Sequence, residues 1–238
     1  MQTEQLYAFN SYLKECTTTV LAVTGNEVAL SETVFYPGGG GQPCDIGSLQ
    51  AEGRTWPVTA VRKDEQYVWH TLAGDEPPAV GTSVQGRLDW ERRYLLMRTH
   101  TALHMLSAIA FADYGANVTG GNMDPGEGRL DFEIQNFTPE LAQEMVGKIN
   151  REVVQARPVK VYQLPRDTAF ALPDLIRTKT NLVPEGVSQV RIVEIVELDR
   201  QADGGTHVGN TEEVGEVVLV KTRSKGATNK RIIIGLGS

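Results

Sequence analysis

Polar and apolar residues alternate in short runs over the first third of the chain. "TTTVLAVTGNEVALSETVFYP" holds two β-rich runs on either side of Gly25-Asn26, a dipeptide suited to a tight hairpin turn. "SLQAEGRTWPVTAVRKDEQYVWHTL" and "SVQGRLDWERR" continue the pattern, with no helical run up to residue 88. Short strands at this spacing predict a small barrel or sandwich. The period changes at Trp90. In "WERRYLLMRTHTALHMLSAIAFADYG" the residues Leu95, Leu96, Leu103, Leu106 and Ile109 recur at helical spacing, and Gly115 marks the stop. "TPELAQEMVGKINREVVQAR" predicts a second helix, with Thr138 as N-cap and Pro139 in its first turn. "VKVYQLP" reads as a strand and "RDTAFALPDLIR" as a short helix. "SQVRIVEIVEL", "GEVVLVKTRS" and "KRIIIGL" read as three β-branched strands. Without regular βα alternation, the expected class is α+β. A small N-terminal β-barrel-like domain (1–88) would precede a two-layer domain (89–238) of antiparallel sheet with helices on one face.

The 238 residues suffice for two domains with a core each. A net charge of −7 argues against a broad phosphate-binding face. The segment "LVKTRSKGATNKR" is the exception, with Lys221, Arg223, Lys225, Lys230 and Arg231 and no acid. Two cysteines make no disulfide framework, and no apolar window approaches 18 residues. A cytoplasmic protein without a membrane partner is expected.

Two stretches could carry chemistry. "FYPGGGGQPCD" contains four consecutive glycines, Gly38 to Gly41. No Gly-Lys-Ser/Thr follows and no G-x-G-x-x-G can be read, so this is not a nucleotide loop of either familiar kind. It is a mobile surface loop, or backbone that approaches a ligand; Pro37 and Pro43 on its flanks favour a defined shape. The second stretch involves three of the four histidines. His100 and His104 stand four apart on the predicted helix, so both imidazoles project from one face. They are two ligands for one metal ion, or a polar pair on a solvated stripe; their apolar surroundings favour the first. His207 lies in "LDRQADGGTHVGNTEEVG", where Gly204 and Gly205 exclude a helix. Asp203 is either a turn former there or a fourth ligand. Three histidines and an aspartate suit zinc.

"RTHTALHML", followed about a hundred residues later by "ADGGTHVGNTEEVG", resembles the editing domain of alanyl-tRNA synthetase and its free-standing relatives, the AlaX-type trans-editing proteins. "VFYPGGGGQPCDIG" is similar to the glycine-rich segment of the longer, two-domain members. "VYQLPRDTA" and "KTRSKGATNKRI" sit where the family has similar segments. The resemblance implies zinc-dependent removal of serine, and sometimes glycine, from the acceptor end of mischarged alanine tRNA. It places the zinc ligands at His100, His104, Asp203 and His207. Many relatives carry cysteine where Asp203 stands, and a carboxylate usually holds zinc less tightly than a thiolate. Thr119 in "NVTGGN", Thr206 and Gln42 become the catalytic-site candidates that sense the seryl hydroxyl. Gly38, Gly39, Gly40 and Gly41 would offer backbone N–H groups to the aminoacyl group or the terminal adenosine, and Lys225 and Arg231 would either meet tRNA phosphates or belong to a solvated basic hairpin. His70 is expected to be structural, and Glu212 and Glu213 to face solvent. Two other functions fit the same residues: a non-catalytic zinc-containing tRNA-binding module, and a metal-dependent hydrolase of another small ester.

Overall fold

The computed structural model describes residues 2–178, 183–224, 226 and 229–237. The chain divides into two compact units, residues 1–94 and 95–238. In the first, β1 (Glu4–Gln5) pairs in parallel with β4 (Glu32–Thr33) beside a closed barrel. The barrel is built from β2 (Glu15–Thr24), β3 (Glu27–Leu30), β5 (Gly47–Ala51), β6 (Arg54–Lys63), β7 (Val68–Leu72) and β8 (Ser83–Leu88), in the order β2-β3-β7-β6-β5-β8. Closure leaves no unpaired barrel edge. Gly25 takes φ +58° in the predicted β2–β3 turn. Cys16, Thr18 and Val20 of β2 alternate inward, as do Trp56 and Val58 of β6. A register shift between Val58 and Ala60 then changes the phase of β6, and Val61 becomes its next buried residue. Phe35 is fully buried in the core of this unit. A Cβ at Gly47 or Gly86 would come within 3.0 or 3.2 Å of its ring, so both positions stay bare.

His70 of β7 is wholly buried and meets the Phe35 ring edge-on at 5.2 Å. Its Nε2 lies 2.8 Å from Thr33 Oγ1 and its Nδ1 3.3 Å from the Val28 carbonyl. Burial pushes its pKa down to about 4. An unfolded histidine titrates near 6.5, so between these values the denatured chain holds a proton that the native one lacks. The stability tied to a neutral His70 is complete above pH 6.5 and is lost as pH falls through 4, by about 3 kcal/mol. Urea midpoints measured across that window are expected to fall less steeply in His70→Gln than in the unaltered protein. Parallel profiles would remove His70 from the acid response.

The division between units falls within α1 (Trp90–Tyr114). From Thr99 to Ala110 every α1 residue is buried, so this helix is covered on all sides rather than along a stripe, with Thr99, His100, Thr101, His104 and Ser107 as polar residues in its interior. Next come β9 (Val118–Asp124), β10 (Glu127–Glu133), α2 (Pro139–Val154), β11 (Val159–Pro165), α3 (Arg166–Phe170), β12 (Gln189–Ile195), β13 (Asp199–Ala202), β14 (Val217–Ser224) and β15 (Asn229–Leu236). They form two antiparallel sheets, β14-β15-β10-β9 and β11-β12-β13, in keeping with the expected α+β class. A Cβ at Gly128 would lie 2.9 Å from Leu103, so the bare residue lets β10 close onto α1. Thr138 caps α2 by accepting from the Leu141 N–H, and Ala142, Met145, Val146, Ile149 and Val153 form its buried face. Asn150 ties that helix to the sheet by donating to the Val217 carbonyl and accepting its N–H, both at 2.8 Å.

Several features differ from the sequence expectation, among them β13, which no predicted strand covered, and β12, which ends at Ile195 instead of running on to Leu198. The β9–β10 hairpin was not predicted, because Gly120, Gly121 and the polar residues around them hide its alternation. The short helix at Arg166 ends at Phe170 instead of reaching Arg177; Pro173 lies just beyond. Glu213 does not simply face solvent: it caps the 3-10 turn at Thr211–Val214, accepting from the Gly209 and Asn210 N–H groups at 3.1 Å. Among the described residues, no helix is long and apolar enough to cross a membrane.

Candidate metal centre

The fully buried middle of α1 presents His100 and His104 one turn apart, with ring centroids 5.0 Å from each other. The turn after β13 brings the other two candidates. Asp203 Oδ2 accepts the Gly205 N–H at 2.6 Å, which makes it the turn former the sequence suggested. The same carboxylate reaches the histidines: Oδ1 is 3.7 Å from His100 Nε2, and Oδ2 is 3.1 Å from His207 Nε2. Turn former and candidate ligand are therefore one residue in two roles. His207 lies 4.3 Å from His100 and 4.6 Å from His104, ring to ring. One donor atom from each of the four residues falls within 4.8 Å of the others, a grouping that could hold a metal ion.

One tautomer of His207 leaves room for a cation there. The Thr101 hydroxyl has one proton. Given to the Met97 carbonyl at 2.9 Å, it leaves the oxygen to accept from His207 Nδ1 at 3.1 Å. His207 Nε2 is then a lone pair facing the carboxylate, and two electron-rich atoms attract only through a proton or metal ion between them. Arg191 backs the turn from outside, donating to the Asp203 carbonyl at 2.9 Å and approaching its carboxylate at 3.8 Å. Burial opposes a charge on Asp203, but the imidazoles around it, led by His100, hold its carboxyl well below the usual range. Burial drives His100 well below an ordinary histidine, and brings His207 to about 4 against the pull of Asp203. For His104, burial is outweighed by Asp199 and Asp203, and its pKa rises. Two imidazoles neutral at pH 7 and an ionised carboxylate are the protonation states a metal requires. Nitrogen and carboxylate donors suit zinc.

The remaining candidates fall in both units. Thr206 is buried next to His207 in the chain. Thr119 is half-buried, its hydroxyl 3.5 Å from Asn229 Oδ1. The β9–β10 register passes from Gly120↔Asp131 to Val118↔Phe132, so Thr119 is the extra residue of a β-bulge, a device that re-aims a side chain. Gln42 and the glycines belong to the first unit. Gly38, Gly39, Gly40 and Gly41 all have positive φ, from 60° to 133°, a backbone that favours glycine at each position. Gly39 and Gln42 exchange backbone hydrogen bonds of 3.0 Å, and Tyr36 Oη donates to the Gly39 carbonyl. The loop is shaped. Asp45 closes it by accepting the Tyr36 N–H at 2.6 Å, and Arg93 grips the Asp45 carboxylate while donating to the Ser11 and Val34 carbonyls. Lys225 lies outside the described residues. Arg231 is held by a two-pronged pair with Asp131, at 2.6 and 2.8 Å, while Lys221 and Arg223 on β14 are exposed. Sequence reasoning missed Thr101, Arg191, Asp45 and Arg93. Thr101 stands inside the H-x-x-x-H motif, which was the one signal available.

A barrel unit precedes an α+β unit in which three histidines and an aspartate converge, and segments of both match domains of tRNA synthetases. Residues 3–92 match the model of class II (A) tRNA synthetases, and residues 190–233 match the second additional domain of threonyl and alanyl tRNA synthetases. The alanyl-tRNA editing protein AlaX-M of Saccharolobus solfataricus is 39% identical over 97% of both chains. Its namesake from Methanosarcina barkeri is 36% identical over 98% of this chain and 99% of its own. Alanine–tRNA ligase of Thermococcus kodakarensis is 34% identical over 99% of this chain, which spans 26% of that enzyme. The chain belongs to the AlaX-M family of alanyl-tRNA editing proteins.

Proposed function

We propose that the protein is a trans-acting deacylase that hydrolyses the ester joining serine to mischarged alanine tRNA, in the cytoplasm and with zinc in the four-residue cluster. The observation that carries this is the convergence of His100, His104, Asp203 and His207 in a unit related to the synthetases' additional domain. When bound, zinc supplies a Lewis acid that can polarise an ester carbonyl or lower the pKa of a water. The chain's own residues do the rest. Thr101 and Arg191 hold His207 and Asp203 in place, and burial of the cluster strengthens every electrostatic contact made there. Thr119 is the residue for discrimination: a site built to hydrogen-bond a hydroxyl rejects the analogue lacking it by roughly 10⁴-fold or more, because its polar group is left unpaired. Lys221 and Arg223 present charge to phosphates of the acceptor stem, with Lys225 beside them in the chain. Arg231, neutralised by Asp131, would stiffen that hairpin more than it attracts RNA.

The test is release of serine from seryl-tRNA bearing the alanine acceptor stem, with alanyl-tRNA in parallel, before and after removal of metal. Metal-dependent loss of serine with alanine spared is expected. No turnover by folded, zinc-loaded protein would overturn the reading in favour of a binding module. In Thr119→Val, losing a contact of about 1–3 kcal/mol should narrow the serine preference roughly 5- to 160-fold. An unchanged ratio would pass the role to Thr206 or Gln42.

A further inference from the structure

His104 is held by a different device from its partners. Its Nδ1 is buried and has no hydrogen-bond partner within ordinary reach. The group in front of it is Asp199, on β13, whose Oδ2 lies 3.5 Å away. That carboxylate has one hydrogen bond and one charged neighbour of its own. Gln201 Nε2 donates to Oδ2 at 2.6 Å, and Arg177 Nε stands 3.6 Å from Oδ1. Arg177 is in turn stacked over Phe111 of α1, 3.9 Å from the ring centre. The Arg177 guanidinium accounts for Oδ1 of this carboxylate, and Oδ2 is the oxygen that faces the His104 ring.

The geometry points to Asp199 as the positioning residue for His104. It holds the ring's proton on Nδ1 and turns Nε2, as a lone pair, toward Asp203 and His207, with Arg177 and Gln201 fixing the carboxylate. Metal-binding histidines commonly depend on such an outer partner, whose loss costs about 10- to 100-fold in metal affinity. This inference rests on the metal reading of the cluster and adds a residue outside the four ligands.

The test compares zinc affinity, by competition with a chromophoric chelator, and the visible spectrum of the cobalt-loaded protein. The variants are Asp199→Asn and a double change, Asp199→Leu with Arg177→Met. The second removes both charges, so no buried cation is stranded if the first folds poorly. The expected result is a zinc dissociation constant raised about tenfold or more in both, an altered cobalt spectrum, and metal-free unfolding midpoints close to the unaltered protein's for the double variant. Affinity within twofold of normal with an unchanged spectrum, in either folded variant, would overturn the role of Asp199 and leave the metal site standing. If the unaltered protein takes up neither zinc nor cobalt, the metal reading falls and this inference with it.

Discussion

Changing His104 to alanine is expected to abolish zinc binding and deacylation together. The imidazole is one of four donors gathered within 4.8 Å, so its removal breaks the set rather than trimming it. A Lewis acid is worth several kcal/mol of barrier, which corresponds to a loss of about 10³-fold or more in turnover. The fold should tolerate the change better than the activity does, because α1 is buried through apolar neighbours on either side of His104. Metal content by atomic emission, turnover with seryl-tRNA and a thermal midpoint from one preparation would decide it. Full activity in a metal-free His104→Ala protein would show that the cluster is not where the ester is cleaved.

Arg93 carries the other large effect, on stability rather than chemistry. Its side chain is fully buried, and it holds Asp45 together with two backbone carbonyls of the first unit. Arg93→Ala leaves Asp45 as an uncompensated buried charge, a loss of about 3–5 kcal/mol. Because Asp45 also bonds the Tyr36 N–H at the base of the glycine run, the loop should loosen before the barrel melts. Denaturant midpoints and amide exchange at Gly38 to Gly41 would measure both. Combining Arg93→Met with Asp45→Leu should recover much of the stability without restoring loop protection. A cost under about 1 kcal/mol for Arg93→Ala would mean that water reaches the carboxylate and the clamp is not structural.

Several parts of this protein were legible in its sequence because the signals are local. The strand–turn pattern before residue 88, the helical period after Trp90 and the Thr138 cap each depend on neighbours within a few residues, and the structure has them. The H-x-x-x-H pair was local too, since a helix places residues four apart on one face. The β9–β10 hairpin was not, because its strands are recognised by what they pack against: Gly128 makes sense only with Leu103 above it. Asp199 and Arg177 gave no sign in sequence. Their roles depend on groups that folding brings within 4 Å from distant positions in the chain.

The sequence by itself determined most of the elements, the α+β class and the residue types from which a metal-binding cluster can be built, since propensity and spacing act over single turns. Only the tertiary structure decided that His207 and Asp203 meet the α1 histidines, that Asp45 locks the glycine loop to Arg93, and that Arg231 pairs with Asp131. Those outcomes turn on burial and charge pairing between segments 48 to about 107 residues apart, where no local pattern carries the information.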